Sequence, residues 1–296
     1  MRMHVPWFVG KVVGALVVTA LVLWTPVQAR AGSIFLTGHD PDFHAQDSAG
    51  AKDLLRSGLN FVTGGTYNDL NPLTPKFLWV ESFNAPTSGH RVGELGLVSI
   101  GLTLGVQFDW VDAALLSTVN LNDYSAIGIA SSFGGMLTTA ELNELIARKD
   151  DIKNFINSGG GLFASAECFP ASSTCFADTL AGSSTAALYS YLPVTVSSVD
   201  PTLPFHVTAA GAAAPFNLTD GDVNDPTHNS FGLIGGLTAL DLDSGNPQQA
   251  TTLAGNVTVG GGGFTPVPTP ASLLLLGAGF SGLAGVRRWI RRCSAS

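Results

Sequence analysis

One stretch, Tyr124–Glu167, decides the fold: it reads YSAIGIASSFGGMLTTAELNELIARKDDIKNFINSGGGLFASAE. An apolar run that ends in a glycine turn predicts a strand within Asp123–Gly135, and a second apolar run predicts a strand over Gly161–Glu167. Between them, apolar residues recur at helical spacing until Gly159 ends the pattern. A strand, a helix and a strand joined by short connections predict a parallel sheet covered by helices on both faces.

The same alternation extends toward the N-terminus, whereas the later part of the chain is less regular. The segment Phe169–Thr258 is rich in Ala, Thr, Ser, Pro and Asp, which predicts short strands and long loops. Residues 32–258 are therefore expected to form one α/β body with a doubly wound, mostly parallel sheet and an irregular strand-and-loop C-terminal part. The earlier predicted elements are strands at Ser33–Gly38 and Lys76–Ser82 and helices at Asp47–Val62 and Gly93–Leu102.

The stretch around the long helix resembles the central part of class I glutamine amidotransferase-like domains, including their ThuA-like branch. The resemblance implies a flavodoxin-like sheet and a cysteine nucleophile at a tight turn, supported by a downstream histidine and glutamate. Cys168 lies near the position of that cysteine, but Phe169 and Pro170 follow it where small residues are needed. His228 is the late histidine, and Ser230 stands where the glutamate is expected. These departures argue against cysteine-dependent amidotransfer.

The N-terminal residues 1–31 have the three regions of a secretory signal peptide. A basic segment precedes the apolar run Val12–Trp24, and the small residues Ala29 and Ala31 mark a cleavage site. The alternative is a permanent membrane anchor, but the apolar run is short for a span of about 20 residues. The sequence therefore predicts export of the body.

The C-terminal residues 267–292 combine a Pro-x-Pro motif, an uncharged run over 271–286 and a cluster of arginines. With its neighbours the run is just long enough for a transmembrane helix across a bilayer of about 30 Å, with the arginines in the cytoplasm. The preceding residues 259–266 contain four glycines in a row, which predicts a flexible linker.

This tail resembles the PEP-CTERM sorting signal of Gram-negative bacteria. The resemblance implies that a membrane exosortase recognises the tail at the inner membrane, cuts near the motif and delivers the body to the cell surface or extracellular matrix. The family has Glu in the middle of its motif where this chain has Thr269. The residues that carry the resemblance are Pro268, Thr269, Pro270, Arg287, Arg288, Arg291 and Arg292.

The charge of the body limits its partners. Seven of the 14 Lys and Arg residues but all 22 Asp and Glu residues fall within 32–271, which gives this segment a net charge of −15. Such a body repels phosphate backbones, so nucleic acid is not an expected partner. Divalent cations are a more natural ligand for it. Together with the sorting tail, the acidic body makes extracellular polysaccharide a candidate partner.

Two cysteines belong to the body, Cys168 and Cys175, since Cys293 lies beyond the arginine cluster. An even pair that is close in sequence and reaches an oxidising compartment predicts a disulfide bond that closes a small loop.

The segment Thr37–His44, TGHDPDFH, is the richest in residues that bind ligands, and it begins where the first strand should end. Open α/β sheets bind ligands at the carboxyl ends of their strands. His39, Asp42 and His44, together with Asp40, are a candidate site for a divalent metal. The alternative is a capped turn whose histidines are hydrogen-bonded to neighbouring loops.

Further polar residues are expected at the same edge, and among them Glu167 and His228 are the candidate catalytic residues. The site permits two interpretations: a non-catalytic ligand-binding domain of a surface or matrix protein, and an exported hydrolase acting on polysaccharide or a small carbonyl substrate, with or without a metal. The departures from the amidotransferase pattern favour the first. The candidate ligand-binding residues are His39, Asp40, Glu81, Glu167 and His228.

Overall fold

The described part of the chain folds as an α/β structure around one mixed sheet of eleven strands. The computed structural model describes residues 31–65, 75–83, 94–132, 137–165, 185–194, 196, 198–224, 229–232 and 234–267. The strands are β1 (Gly32–Thr37), β2 (Phe77–Val80), β3 (Phe108–Val111), β4 (Ala126–Ile129), β5 (Gly161–Ala164), β6 (Ser198–Val199), β7 (His206–Val207), β8 (Ser230–Phe231), β9 (Thr238–Leu242), β10 (Ala250–Gly260) and β11 (Gly263–Pro266). The helices are α1 (Pro41–His44), α2 (Ala49–Val62), α3 (Glu94–Ser99), α4 (Ala113–Leu116), α5 (Thr139–Ala147), α6 (Lys149–Asn157), α7 (Thr185–Leu188), α8 (Ala209–Ala212) and α9 (Asp220–Val223), with a 3₁₀ turn at Leu121–Asp123.

The sheet has a parallel half and an antiparallel half that meet at β1. Five parallel strands lie in the order β3-β2-β4-β5-β1, and the long strand β10 pairs antiparallel with the other side of β1. Strands β8, β9 and β11 pair antiparallel with β10. The α/β class and the parallel core of a mixed sheet confirm the expectation from sequence.

Helices cover both faces of the parallel half because its strands are apolar on both sides. Phe35, Trp79 and Phe163 point to one face, where they pack with α2 and α3 in one buried cluster. Ile34 and Leu162 point to the other face and belong to the cluster that contains the apolar residues of α4, α5 and α6. The sheet is therefore wound on both sides, as the strand-helix alternation predicted.

The long helical pattern forms two helices rather than one. Thr138 caps α5 in a capping box with Glu141, and α5 ends at Ala147. Arg148 has φ −97° and separates α5 from α6, and its guanidinium donates to the carbonyl oxygens of Leu116 and Val119 at 2.6 and 2.8 Å. The break between α5 and α6 thus coincides with hydrogen bonds from the Arg148 side chain to a distant part of the chain.

Residues 259–266 are part of the sheet, which corrects the interpretation of this segment as a flexible linker. They form the end of β10 and all of β11, an antiparallel hairpin in which Val259 pairs with Phe264. Both side chains are buried in the core. The glycines supply the turn of the hairpin, and the apolar residues on either side hold it to the fold.

The two ends of the body lie at the same edge of the sheet. Gly32 of β1 pairs with Val257 of β10, and Val257 pairs on its other side with Pro266 of β11. Neighbouring strands are about 4.8 Å apart, so the two ends are separated by about 10 Å. This edge is the amino edge of the parallel strands, opposite the edge at which Thr37 ends β1.

Several predicted features lie outside the described residues: the signal peptide up to residue 30, the sorting motif and transmembrane segment beyond residue 267, and both cysteines of the predicted disulfide. Within the part of the chain that the structure describes, no helix has the length and apolar character needed to cross a membrane.

Candidate functional site

The segment that follows β1 crosses the carboxyl edge of the sheet and connects its two halves. Thr37 ends β1, where its hydroxyl lies 3.2 Å from that of Thr252 on β10 and accepts a hydrogen bond from the backbone N–H of His39 at 3.2 Å. Pro41 then begins the short helix α1, where its fixed φ and missing N–H are tolerated. His39 and Asp42 are thereby directed to different halves of the sheet.

His39 pairs with Asp241 of the antiparallel half. Its Nε2 lies 2.8 Å from Oδ2 of Asp241, and both side chains are at most 1% exposed. The edge of the imidazole contacts the ring of Phe205, with 5.3 Å between the ring centroids. The other ring nitrogen, Nδ1, is buried and has no hydrogen-bond partner among the described residues. A carboxylate that fixes one nitrogen of an imidazole leaves the second nitrogen available to a ligand or to a proton in transfer.

Asp42 contacts the parallel half through Ser131, directly after β4. Its Oδ2 accepts hydrogen bonds from the backbone N–H of Ser131 at 2.9 Å and from the Ser131 hydroxyl at 3.1 Å. Burial raises the pKa of Asp42 from 3.8 to about 7, and the nearby charge of Asp40 adds to this effect, whereas the Ser131 hydrogen bonds oppose it. Its second oxygen, Oδ1, is buried without a partner in the described part of the chain.

Close backbone packing holds α1 in this position. A Cβ atom at Gly96 of α3 would lie 1.8 Å from the carbonyl oxygen of Asp42, so only glycine permits this approach. Ser99 of the same helix donates a hydrogen bond to the carbonyl oxygen of Ala45 at 2.7 Å. Helix α3 therefore positions α1 from one side while Ser131 holds it from the other.

The predicted metal site is not assembled from the described residues. Asp40 is fully buried, and its Oδ1 lies 3.2 Å from Nε2 of His44, so these two residues form an i,i+4 pair on one side of α1. The other two candidate ligands point elsewhere: Asp42 contacts Ser131, and His39 contacts Asp241. No three His, Cys, Asp or Glu side chains in the described ranges are grouped to hold a metal ion. The geometry of α1 is the reason, because residues two apart on a helix do not share a face. The alternative interpretation is met only in part: His39 pairs with a distant residue, Asp241, but Asp40 at the start of α1 makes no side-chain capping hydrogen bond and His44 pairs within its own segment.

Glu81 lies at the carboxyl edge as predicted, directly after β2. It is buried, and its Oε2 accepts a hydrogen bond from the indole N–H of Trp79 at 2.7 Å. Its backbone carbonyl accepts a second one from the indole N–H of Trp110 at 2.9 Å. Two tryptophans on neighbouring strands thus fix the position of this glutamate.

The two candidate catalytic residues, Glu167 and His228, lie outside the described residues, so their roles stay predictions. Their neighbours are placed: Ser165, directly after β5, donates to the carbonyl oxygen of Ile129 at 3.3 Å, and Asn229 before β8 is buried. The described residues nearest to Glu167 and His228, Ser165 and Asn229, therefore both lie at the polar carboxyl edge.

Asp241 is the functional candidate that sequence reasoning missed. It lies in the alternating run Leu240-Asp241-Leu242-Asp243, and this pattern assigns aspartates to the solvent side of a strand. In the structure both aspartates are buried. Asp241 pairs with His39, and Asp243 accepts hydrogen bonds from the backbone N–H groups of Thr202 and Gln249.

Comparisons with protein-family models, with curated proteins and with solved structures found no match for this chain.

Proposed function

We propose that this protein is exported, processed by a membrane exosortase and placed at the cell surface or in the extracellular matrix, where its α/β body binds polysaccharide. One observation carries the assignment of the binding site to the carboxyl edge. His39 Nδ1 and Asp42 Oδ1 are buried there without partners among the described residues. Buried polar atoms are nearly always hydrogen-bonded, so unpaired ones at this edge favour a ligand that offers hydroxyl groups. Because His39 and Asp42 are at most 1% exposed, the proposal requires neighbouring side chains to move when the ligand binds.

Export and sorting are supported by the signal-peptide pattern and by the resemblance of the tail to PEP-CTERM signals. In this proposal the segment 271–286 spans the inner membrane until an exosortase cuts near Thr269. The tail leaves β11 at Pro266, at the amino edge of the parallel strands. A tethered body would therefore present its carboxyl edge away from the membrane, at a distance of about 20 Å along β1.

The proposed relation to amidotransferase-like domains finds support in the strand order. Flavodoxin-like sheets have the order 2-1-3-4-5. When the strands are counted from β2, the order β3-β2-β4-β5 matches 2-1-3-4, and β1 occupies the fifth place. We regard the parallel half as a flavodoxin-like arrangement in which the first strand of the chain has taken the place of the last. The departures around Cys168 and at Ser230 favour a domain of this type that binds without amidotransfer.

The binding proposal can be tested by co-sedimentation of the purified mature protein with the extracellular polysaccharide of the cells that produce it. We expect His39→Gln to reduce the bound fraction at least about fivefold, since the imidazole is the group that offers an unpaired nitrogen. His206→Gln is the matched control, because His206 also pairs with an aspartate, Asp220, at an exposed position. Equal retention of the two folded variants would contradict the proposal.

A second candidate is an exported hydrolase that acts on polysaccharide or on a small carbonyl substrate. The observation that favours it is the 2.8 Å contact between His39 and Asp241. Asp241 would orient the imidazole and stabilise its charged form, while Nδ1 would take a proton from the attacking water. Glu167 and His228 stay candidates for further acid or base roles. Release of reducing ends from the polysaccharide, lost at least about 100-fold in Asp241→Asn and kept in His206→Gln, would support this alternative.

A further inference from the structure

A groove of about 530 Å³ lies between α2 and the segment 216–222, and none of its lining residues belongs to the carboxyl-edge site. Four polar residues of α2 face it at positions i, i+3, i+4 and i+7, so they form one stripe along the helix. This volume falls within the roughly 300–1,000 Å³ of small-ligand pockets. The helix residues are Asp53, Arg56, Ser57 and Asn60.

The wall opposite α2 is held in place by the fold. The hydroxyl of Ser57 donates to the carbonyl oxygen of Phe216 at 3.1 Å, which ties the segment directly to the helix. A Cβ atom at Gly50 would lie 2.3 Å from the carbonyl oxygen of Gly221, so α9 packs against the start of α2 without side chains between them. Asn217 has φ +54°, a left-handed conformation that asparagine adopts more readily than other residues with a side chain, and its amide donates to the carbonyl oxygen of Pro215 at 3.3 Å. An ordered segment thus presents an exposed asparagine at the groove.

The chemistry of the groove combines donors, acceptors and one apolar wall. Arg56 uses Nη1 to contact Asp53 at 3.3 Å, and its Nε is buried without a partner in the described part of the chain. Asn60 and Asn217 add amide groups. Phe216 is half-buried and packs against Phe61 with 4.9 Å between the ring centroids. It supplies an apolar surface to the lining of the groove. Small-ligand sites commonly pair an apolar surface with a few polar groups in this manner.

We propose that this groove binds one or two residues of a neutral sugar. Hydroxyl groups can accept from Arg56 and from the asparagine amides, and they can donate to the carboxylates of Asp53 and Asp222. The two carboxylates, with one arginine, disfavour anionic ligands. The C–H face of a pyranose ring matches the apolar side of Phe216. The groove would give the body a second contact with a polymer, independent of the carboxyl edge.

Ligand-observed NMR of the purified mature protein with maltotriose, cellotriose and mannotriose tests this assignment. We expect at least one of the three to bind. Two substitutions in the groove should each weaken binding about fivefold. Arg56→Lys keeps the positive charge but loses the planar guanidinium, and Asn217→Gly removes the amide while keeping a residue that suits the positive φ. Asn122→Gly is the same exchange at an exposed position outside the groove, and it should leave binding unchanged.

Thermal melting of each variant establishes that it is folded. The proposal is overturned if none of the trisaccharides binds, or if the groove variants bind them as the wild type does. The outcome is separable from that of the carboxyl-edge site, because His39→Gln should not change binding in the groove.

Discussion

Replacement of Asp42 by asparagine should remove a pH dependence of stability that the structure assigns to this one carboxyl group. Burial raises its pKa from 3.8 to about 7, so the native state favours the protonated form. Its stabilising contribution is therefore complete below about pH 4 and is lost as the pH rises through about 7. A shift of about three pKa units corresponds to about 4 kcal/mol in the free energy of unfolding.

The amide oxygen introduced by Asp42→Asn can still accept the hydrogen bonds of Ser131, but the new side chain cannot ionise. Asp40 and His44 are present in both proteins, and the repulsion between Asp40 and Asp42, one of the causes of the raised pKa of Asp42, is removed together with the Asp42 charge. Urea unfolding at a series of pH values from about 4.5 to 8 should show that Asp42→Asn gains stability relative to the wild type as the pH rises. Asp47→Asn is the control, since Asp47 is exposed directly after α1. Parallel profiles for wild type and Asp42→Asn would refute the reasoning.

Further predictions concern packing and maturation. Gly96→Ala should lower the free energy of unfolding by about 2 kcal/mol or more, because the new Cβ would collide with the backbone of α1. Gly221→Ala is the control: this glycine is helical and its Cβ would meet no close contact, so the substitution should be neutral or stabilising in the same unfolding assay. Intact-mass measurement of surface material should give a chain that begins near Gly32 and lacks the arginine cluster; a full-length mass would count against sorting. Non-reducing peptide mapping should find Cys168 linked to Cys175, and alkylation of both thiols in freshly exported protein would exclude the bond.

The apolar strands and amphipathic helices of the parallel half could be predicted from the sequence because both faces of its sheet are buried. Strands β1, β2, β4 and β5 coincide with the segments predicted for them. Strand β3, FDWV at Phe108–Val111, was missed, since this edge strand carries Asp109 and Trp110 at half-buried positions and lacks a continuous apolar run. The helix predicted at Asp47–Val62 begins at Ala49, with Ser48 as its N-cap.

The antiparallel half could not be predicted in detail because its strands depend on distant partners. Strand β10 takes its place through pairing with β1, which lies far away in the sequence. The glycine run at 259–266 has the composition of a linker, and the burial of Phe264 that makes it a hairpin is a tertiary effect. The same limit applies to the site: the sequence placed His39 at the correct edge, but only the folded chain brings Asp241 to it.

The proposed contact between a polysaccharide and the carboxyl edge at His39 is tested most directly by imidazole ¹⁵N NMR. Oligosaccharides released from the matrix polysaccharide would be titrated into the labelled mature protein while the Nδ1 resonances of His39 and His206 are followed. The account predicts that Nδ1 of His39 shifts with saturation as its unpaired nitrogen gains a hydrogen bond, and that His206 does not respond. Saturable binding of the oligosaccharides with no change at His39 would contradict it.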